Sequence, residues 1–311
     1  MVQHIAVGVD DSEAAAAALR WADGLATLAK GSVTAVHAWQ EPFVSTYQGV
    51  APSADELIDK ARSVISNARK SADVTGNIDS VVVQGSPGPT LVEHARRADL
   101  VAVGRGVAGL RPRNERLGEV LFGSTARYVI RHCDVPVAVI PEGAAWSDDP
   151  RVLVGIDGSP ASIDALRWAV EHFPNGDLHA VQGVEHSDAD VELVDLTVDA
   201  YRKELDRLVR DVAPSGEGRR QPRTHIAFGA VTQVLVDQSL HAEVVVIGAP
   251  PTAPGQERLI GSVSNHAVSY SPVPVIVVPQ PASTAASVLL PQSTTAIAKW
   301  AGNSVPPKEQ I

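Results

Sequence analysis

The chain has 311 residues, of which 44 % are hydrophobic, 20 % are charged and only 4 % are aromatic, and its formal net charge is −10. This length corresponds to about two domains of ordinary size, and the low aromatic share predicts cores of aliphatic residues. The acidic balance argues against a general nucleic-acid-binding protein, which would carry a basic face. It does not argue against a small anionic ligand, since backbone dipoles can hold a phosphate on an acidic protein.

The cysteine content and the N-terminal sequence indicate a cytoplasmic protein. Cys133 is the only cysteine, so a disulfide within one chain is impossible, which suits a reducing compartment. The first residues, Met1 to Ile5, run directly into a strand pattern and lack the features of a signal peptide. No stretch reaches the roughly 18 consecutive apolar residues of a membrane span, so we expect no membrane contact.

The sequence contains an internal repeat. The segment 5–12 (IAVGVDDS) resembles 152–159 (VLVGIDGS), 147 positions later, and ALRWA at 18–22 recurs at 165–169. Further along, the offset is 138, which aligns Gly123-Ser124 with Gly261-Ser262 and 135–141 with 273–279. The first copy therefore has about nine additional residues. We predict two domains, residues 1–141 and 151–279, joined by a linker at 142–150.

Strand and helix patterns alternate in both copies. The patterns predict strands at 5–10, 32–39, 78–84, 100–103 and 136–140, and helices at 12–30, 53–73, 89–97 and 124–132. In the second copy they predict strands at 152–156, 178–184, 223–228, 243–247 and 274–278, and helices at 160–171, 191–212, 231–240 and 262–270. Such alternation is typical of an α/β fold, with a doubly wound, five-stranded parallel sheet in each domain.

The composition changes after Pro279 to a segment rich in Pro, Ser, Thr and Ala. Such a composition predicts that residues 280–311 form a disordered tail. The alternative is a short docking helix near residues 295–301, with Ile297 and Trp300 on one face.

Two aspartates stand at matching places after the first strand of each copy. Asp10 and Asp157 are each followed by Xaa-Ser and then by a helix pattern. In a doubly wound sheet, ligands bind outside the carboxyl ends of the strands at the switch point, where a carboxylate can accept hydrogen bonds from an adenine amino group or a ribose hydroxyl. The alternative is that each aspartate caps its helix and neutralises the positive helix end. Both interpretations stay open at this stage.

The loop after the fourth strand carries the most specific motif. In the second copy it reads Gly248-Ala249-Pro250-Pro251, then nine residues, then Gly261-Ser262. This resembles the Gly-Xaa2-Gly-Xaa9-Gly-(Ser/Thr) motif in nucleotide-binding members of the universal stress protein family. The aspartates with Xaa-Ser, and Val-Pro-Val at 135–137 and 273–275, match the same family. The resemblance covers roughly residues 3–141 and 151–279.

The resemblance implies a fold, a ligand and a role. The fold is Rossmann-like, of the adenine nucleotide alpha hydrolase-like type, with strand order 3-2-1-4-5 in each domain. The ligand is ATP, with Mg²⁺, and the role is regulation during stress adaptation with at most weak ATPase activity. The implied nucleotide-binding residues are Asp10, Ala38, Val103, Gly104, Gly106, Gly123, Ser124 and Thr125 in the first copy, and Asp157, Gly248, Gly261, Ser262 and Val263 in the second.

Family members also pair through their last strands. We therefore expect the two copies to form an intramolecular pseudo-dimer, and the chain to be capable of forming a homodimer. The resemblance does not identify a protein partner.

Both copies depart from the family motif. Pro251 replaces the middle glycine of the second copy, and Pro250-Pro251 removes two backbone donors. In the first copy, Gly-Xaa2-Gly is replaced by Gly104-Arg105-Gly106-Val107-Ala108-Gly109 and an arginine-rich insertion. Either the arginines contact phosphate directly, or the insertion is a solvated surface loop. The arginines are Arg105, Arg111, Arg113 and Arg116.

These departures favour the first copy as the nucleotide binder, with a degenerate second copy. They also leave an alternative function, in which the protein is a scaffold that binds no nucleotide and acts through protein contacts. A third class, an enzyme that transfers adenylyl or phosphoryl groups, has no visible catalytic residues.

Other motifs are less specific. Residues 104–109 spell Gly-Xaa-Gly-Xaa-Xaa-Gly, but a dinucleotide fingerprint belongs after the first strand and directly before a helix. His37 stands at a strand end where the resemblance places adenine near Ala38, or it packs there without a ligand. His132-Cys133 is explained better by a buried, inert thiol than by a nucleophile.

Overall fold

The computed structural model describes residues 2–41, 53–106, 122–184, 191–214, 220–251, 258 and 260–280, with backbone alone from 191 to 197. The first copy contains β1 (His4–Gly8), α1 (Glu13–Ala29), β2 (Ser32–Trp39), α2 (Ala54–Ala72), β3 (Ile78–Gln84), α3 (Pro87–Ala95), β4 (Leu100–Gly104), α4 (Ser124–His132) and β5 (Val137–Ile140). The second contains β6 (Arg151–Gly155), α5 (Pro160–His172), β7 (Asp177–Val184), α6 (Val191–Val212), β8 (Arg223–Phe228), α7 (Val231–Ser239), β9 (Val244–Ala249), α8 (Ser262–Tyr270) and β10 (Val275–Pro279). The predicted alternation is confirmed.

The ten strands form one continuous sheet in the order β3-β2-β1-β4-β5-β10-β9-β6-β7-β8. Within each copy, neighbouring strands are parallel and follow the expected order 3-2-1-4-5. The copies join where β5 pairs antiparallel with β10, with Ala138 opposite Ile276. The expected pairing of the two last strands is therefore present, and the chain forms an internal pseudo-dimer.

Helices cover both faces of the sheet and bury an aliphatic core on each side. Residues 100–103 of β4 are all buried, as expected for a parallel strand with helices on both faces. Helix α1 approaches the sheet closely, because five consecutive buried alanines, residues 14–18, form its first turns. Among the described residues, no helix combines the length and the apolar character needed to cross a bilayer.

Helix α1 begins where the sequence predicted it, whereas α3 begins earlier than predicted. Ser12 is the N-cap of α1, and its Oγ accepts a hydrogen bond from the Ala15 N–H at 3.1 Å. The prediction for α3 began it at residue 89, whereas the helix begins at Pro87. Proline is well suited to a first helical position, since its missing N–H would have no intrahelical partner there. The prediction missed this helix start because the Pro-Gly-Pro sequence does not resemble a helical pattern.

The predicted linker and tail have different outcomes. Residues 141–150 contain no helix or strand, and Ala144 within them is buried. The tail predicted at 280–311, with its alternative helix, lies outside the described residues except for Gln280. The backbone N–H of Gln280 donates to the carbonyl of Ala249 at 3.0 Å.

Candidate functional site

The structure places a cavity of about 390 Å³ at the carboxyl ends of β1, β2 and β4 in the first copy. The eight residues implied for this copy all line it: Asp10, Ala38, Val103, Gly104, Gly106, Gly123, Ser124 and Thr125. The fold thus brings together residues that are up to 115 positions apart in the sequence. Their role in binding a nucleotide stays a prediction.

Asp10 organises the start of α1. Its Oδ1 accepts hydrogen bonds from the Ser12 N–H at 3.0 Å and from the Ser12 hydroxyl at 2.5 Å. Ser12 in turn caps the helix, so Asp10 supports the cap without being the cap itself. The described contacts of this carboxylate use only Oδ1. Structural support and ligand binding are therefore compatible, because the same side chain lines the cavity.

The N-terminus of α4 opens into the cavity. Its N-cap is Gly123, which provides no side-chain hydrogen bond to the first turn. As far as the described residues show, the first amide groups of the helix are therefore available to an acceptor. Gly106 has a φ of 61°, in the left-handed region that favours glycine. The Gly123 N–H donates to the Arg105 carbonyl at 2.8 Å, which joins the end of β4 to the start of α4.

Gly104 is required by close packing within the protein. A Cβ on Gly104 would lie 2.6 Å from the backbone carbonyl carbon of Ala14 in α1. A side chain at this position would push α1 away from β4, whether or not a ligand is bound. The resemblance attributes the glycine to ligand approach, and the structure adds a reason that is independent of any ligand.

His37 has a structural contact and also lines the cavity. Its Nδ1 lies 2.8 Å from the Val9 carbonyl. A carbonyl can only accept, so Nδ1 carries the proton and donates. The contact ties the end of β2 to the end of β1, which supports the packing interpretation of this residue.

The sequence reasoning missed Glu142, which lines the cavity from the start of the linker. It also missed Pro87 and Leu91 of α3, which complete the wall. A usable signal existed for Glu142: it follows β5 after a single proline, Pro141, and the carboxyl end of β5 lies at the same sheet edge as the other site residues.

The side chain of Arg105 contacts the second copy, which neither of the two interpretations of these arginines included. Its Nη1 donates to the Ser269 carbonyl at 3.3 Å and to the Ser271 carbonyl at 2.7 Å, both at the end of α8 in the second copy. Burial lowers the pKa of this guanidinium, and the carboxylate of Glu142 offsets part of that shift. The other arginines of the insertion, Arg111, Arg113 and Arg116, lie outside the described residues, as does Gly109.

The equivalent cavity in the second copy is much smaller. Its volume, bounded by described residues, is about 80 Å³. Asp157, Gly248 and Val263 line it, whereas Gly261 and Ser262 are not part of its wall. Asp157 repeats the backbone contact of the first copy, since its Oδ1 accepts the Ser159 N–H at 2.9 Å. Gly248 belongs to β9 opposite Val278, although the prediction ended this strand at residue 247.

Cys133 lies outside both cavities at the end of α4. It is 1 % exposed, and burial raises the pKa of its thiol to about 12. A thiol in this state carries almost no thiolate near neutral pH and is a poor nucleophile. The structure agrees with the expectation of an inert, buried thiol.

The fold and the site define a tandem, doubly wound α/β protein with one well-formed cavity at a switch point. The sequence matches the universal stress protein family over residues 1–141 and 150–279. It is 31 % identical to universal stress protein Rv2005c of Mycobacterium tuberculosis over 301 residues, which cover 89 % of this chain and 98 % of that protein. It is also 31 % identical to universal stress protein Rv2623 of the same species over 291 residues, 88 % and 95 % of the two chains.

A solved structure extends the comparison to three dimensions. A universal stress protein from Archaeoglobus fulgidus DSM 4304 shares the fold with a TM-score of 0.61 at 21 % identity, over 89 % of this chain and 98 % of that one. The chain belongs to the universal stress protein family.

Proposed function

We propose that this protein binds ATP, together with Mg²⁺, in the cavity of the first copy and acts as a regulator in stress adaptation. The observation that carries the proposal is the convergence of all eight implied residues on one cavity. The volume of about 390 Å³ lies in the range of about 300–1,000 Å³ that is usual for small-molecule sites.

The chemistry of the wall suits an anionic nucleotide. The first-turn amides of α4, at Ser124 and Thr125, supply hydrogen-bond donors and the positive end of the helix dipole for phosphate oxygens. Asp10, in the wall of the same cavity, supplies an acceptor for a ribose hydroxyl or an adenine amino group. Glu142 adds a negative charge, which a bound divalent cation would offset.

The second copy serves as a scaffold in this proposal. Its cavity of about 80 Å³ is far below the usual range for a small-molecule ligand. Pro250 and Pro251 also provide no backbone donors in its loop. The main alternative, a protein that binds no nucleotide at all, extends this scaffold role to the first copy.

We further propose at most slow ATP hydrolysis and a cytoplasmic location. The titratable side chains in the first cavity are Asp10, His37 and Glu142. Asp10 and His37 already have structural hydrogen bonds, and the Glu142 carboxylate interacts with the Arg105 guanidinium, so each of these three described groups is already engaged within the protein. The single, buried Cys133 suits a reducing compartment. Homodimer formation is a further expectation from the family resemblance.

Isothermal titration with Mg-ATP tests the binding proposal. Asp10→Ala should weaken binding in the first copy at least tenfold, the loss expected when a hydrogen bond to a charged group is removed, about 1.5–3 kcal/mol. Asp157→Ala is the matched control, because it removes the same local contact to a serine N-cap in the second copy. No binding heat in the unchanged protein, or equal effects of the two variants, would contradict the proposal.

A further inference from the structure

The side chains of two arginines reach from one copy to the other, where each donates hydrogen bonds at the C-terminus of a helix. Arg105, directly after β4, donates from Nη1 to the carbonyls of Ser269 and Ser271. In the other direction, Arg258 donates from Nη1 to the Ile130 carbonyl at 3.0 Å and to the Cys133 carbonyl at 2.5 Å. Each arginine belongs to the connection between the fourth strand and the last helix of its own copy.

The two contacts reach equivalent places from non-equivalent positions. Cys133 and Ser271 are the C-cap residues of α4 and α8, and they correspond in the repeat. Arg105 directly follows Gly104, whereas Arg258 stands three residues before Gly261. Duplication of one arginine cannot account for this pair. A cation at a helix C-terminus is favoured by the free carbonyls and by the helix dipole.

Helices α4 and α8 are therefore each held at the C-terminal end by an arginine of the other copy. Helix α4 begins at the first cavity, and its last turn is held by Arg258 from the loop of the second copy. Helix α8 begins next to Gly261, and its end is held by Arg105 from the loop of the first copy. Each helix has 9 residues, so the first and last residues of the same helix are about 13 Å apart.

Arg105 links the first cavity to α8, because its backbone lies at the cavity and its side chain contacts the end of α8. Its carbonyl accepts the Gly123 N–H at 2.8 Å, and its own N–H donates to the Ile140 carbonyl at 2.7 Å. Its neighbours Gly104 and Gly106 line the cavity. A ligand that orders this backbone therefore acts on the residue whose side chain holds α8.

The reverse contact is deeply buried and hard to relocate. Arg258 is 4 % exposed, its N–H donates to the Arg131 carbonyl at 3.1 Å, and Asp134 lies 3.8 Å from its Nη2. Its Nε is buried without a hydrogen bond among the described residues. Loss of its carbonyl acceptors would leave a buried charge, which is strongly unfavourable, so a shift at the end of α4 requires a shift of Arg258 as well.

We propose that Arg105 and Arg258 couple the first cavity to the second copy, so that nucleotide in the first cavity stabilises the end of α8 in the second copy. This inference rests on the proposed function for its ligand. It gives the second copy a role as a regulatory partner of the first site, even though its own cavity is small.

Hydrogen exchange of the full chain, with and without Mg-ATP, tests the coupling. In the unchanged protein we expect nucleotide to slow exchange at residues 123–126 and, by about fivefold or more, at residues 267–271. Arg105→Gln should keep the first effect and lose the second. Arg105→Lys, which keeps the charge, serves as a second variant if Arg105→Gln does not fold.

Arg20→Gln is the matched control. Arg20 donates from Nε and Nη2 to the carbonyls of Ala72 and Ser71, at the end of α2 in its own copy. This variant removes the same kind of contact without crossing between copies, so it should respond to nucleotide as the unchanged protein does. Equal protection of α8 in the Arg105→Gln and Arg20→Gln variants would overturn the coupling.

A nucleotide-free comparison separates this inference from the proposed function. Without ligand, Arg258→Gln should speed exchange of the Gly123 amide at the far end of α4, and Arg20→Gln should not. If Mg-ATP has no effect on the unchanged protein but this difference appears, the nucleotide proposal is wrong, and what stands is the ligand-independent coupling through Arg258 along α4. If Arg258→Gln leaves the Gly123 amide unchanged, the coupling is wrong.

Discussion

The indole of Trp146, in the segment between the two copies, packs edge-to-face on the indole of Trp21 in α1, with ring centroids 5.8 Å apart. Trp21 is buried at 1 % exposure. The contact exists because Gly24 presents no side chain, and a Cβ there would collide with the Trp146 ring. The predicted linker is therefore docked on the first copy.

Gly24→Ala should destabilise the protein. In a helix, alanine is normally favoured over glycine by about 1 kcal/mol. Here the added methyl must displace Trp146, and overpacking of this kind costs about 1–3 kcal/mol. Urea denaturation measures the difference in unfolding free energy. In a Trp146→Ala background the same substitution should become neutral or stabilising, and a stabilising effect with Trp146 present would refute the account.

Glycines of the nucleotide motif should differ in their structural importance. A Cβ on Gly248 would collide with the Ala161 carbonyl in α5, whereas a Cβ on Gly261 would meet none of the described residues within 4 Å. Gly248→Ala should therefore lower the unfolding free energy by at least about 1–3 kcal/mol. Gly261→Ala, the control, should change it by less than about 0.5 kcal/mol. The midpoints of denaturant unfolding compare the stability of the two variants. Similar losses of unfolding free energy in both would contradict the packing explanation.

Stability should fall as the pH drops below about 6.5. Burial lowers the pKa of His172, whose Nδ1 donates to the Trp168 carbonyl at 2.8 Å. The unfolded chain then binds a proton that the folded protein resists, so the unfolding free energy decreases between the unfolded and the folded pKa. His172→Gln should make this decrease smaller.

Two further groups define the pH experiment. The pKa of Asp177 is lowered, chiefly by its hydrogen bond with His179, so its contribution is present above the usual carboxylate pKa and is lost only at lower pH. His241→Gln is a control for removal of an exposed histidine. Urea denaturation at pH 7.5 and 5.5 measures how much the unfolding free energy decreases with pH. The prediction fails if His172→Gln retains the full decrease.

Cys133 should resist thiol reagents in the folded protein. Its thiol is buried, and its pKa is raised to about 12. A reagent therefore cannot reach the sulfur, and almost none of the thiol is in the reactive thiolate form. At pH 8, labelling by a maleimide should proceed only through unfolding and be complete in denaturant. Rapid labelling of one thiol per chain without denaturant would show that the end of α4 opens readily.

The sequence predicted the regular parts of the molecule because their signals are local. The N-cap Ser12 and the bounds of β2, β3 and α4 follow from spacing and capping over a few residues. The strand order and the pairing of β5 with β10 came from the family resemblance. Both routes relate a short pattern to a known geometry.

The long-range contacts could not be predicted in the same way. For Arg105 the sequence left open a phosphate contact or a solvated loop, yet its partners, Ser269 and Ser271, are 164 and 166 residues away and become neighbours only after β5 and β10 pair. Trp146 stood in a segment that composition marks as a linker, and its docking depends on a missing side chain at Gly24. Such contacts depend on the arrangement of both copies, which no local pattern encodes.

The most direct test of the central claim is to count the nucleotides carried by the purified protein. The protein is purified without added nucleotide, then saturated with Mg-ATP, freed of excess ligand and denatured, and the released adenine nucleotide is quantified by chromatography. We predict close to one nucleotide per chain, lost in Asp10→Ala and retained in Asp157→Ala. No released nucleotide, with no binding in titration, would contradict the claim and favour the scaffold, and two per chain would contradict the assignment of a degenerate second copy.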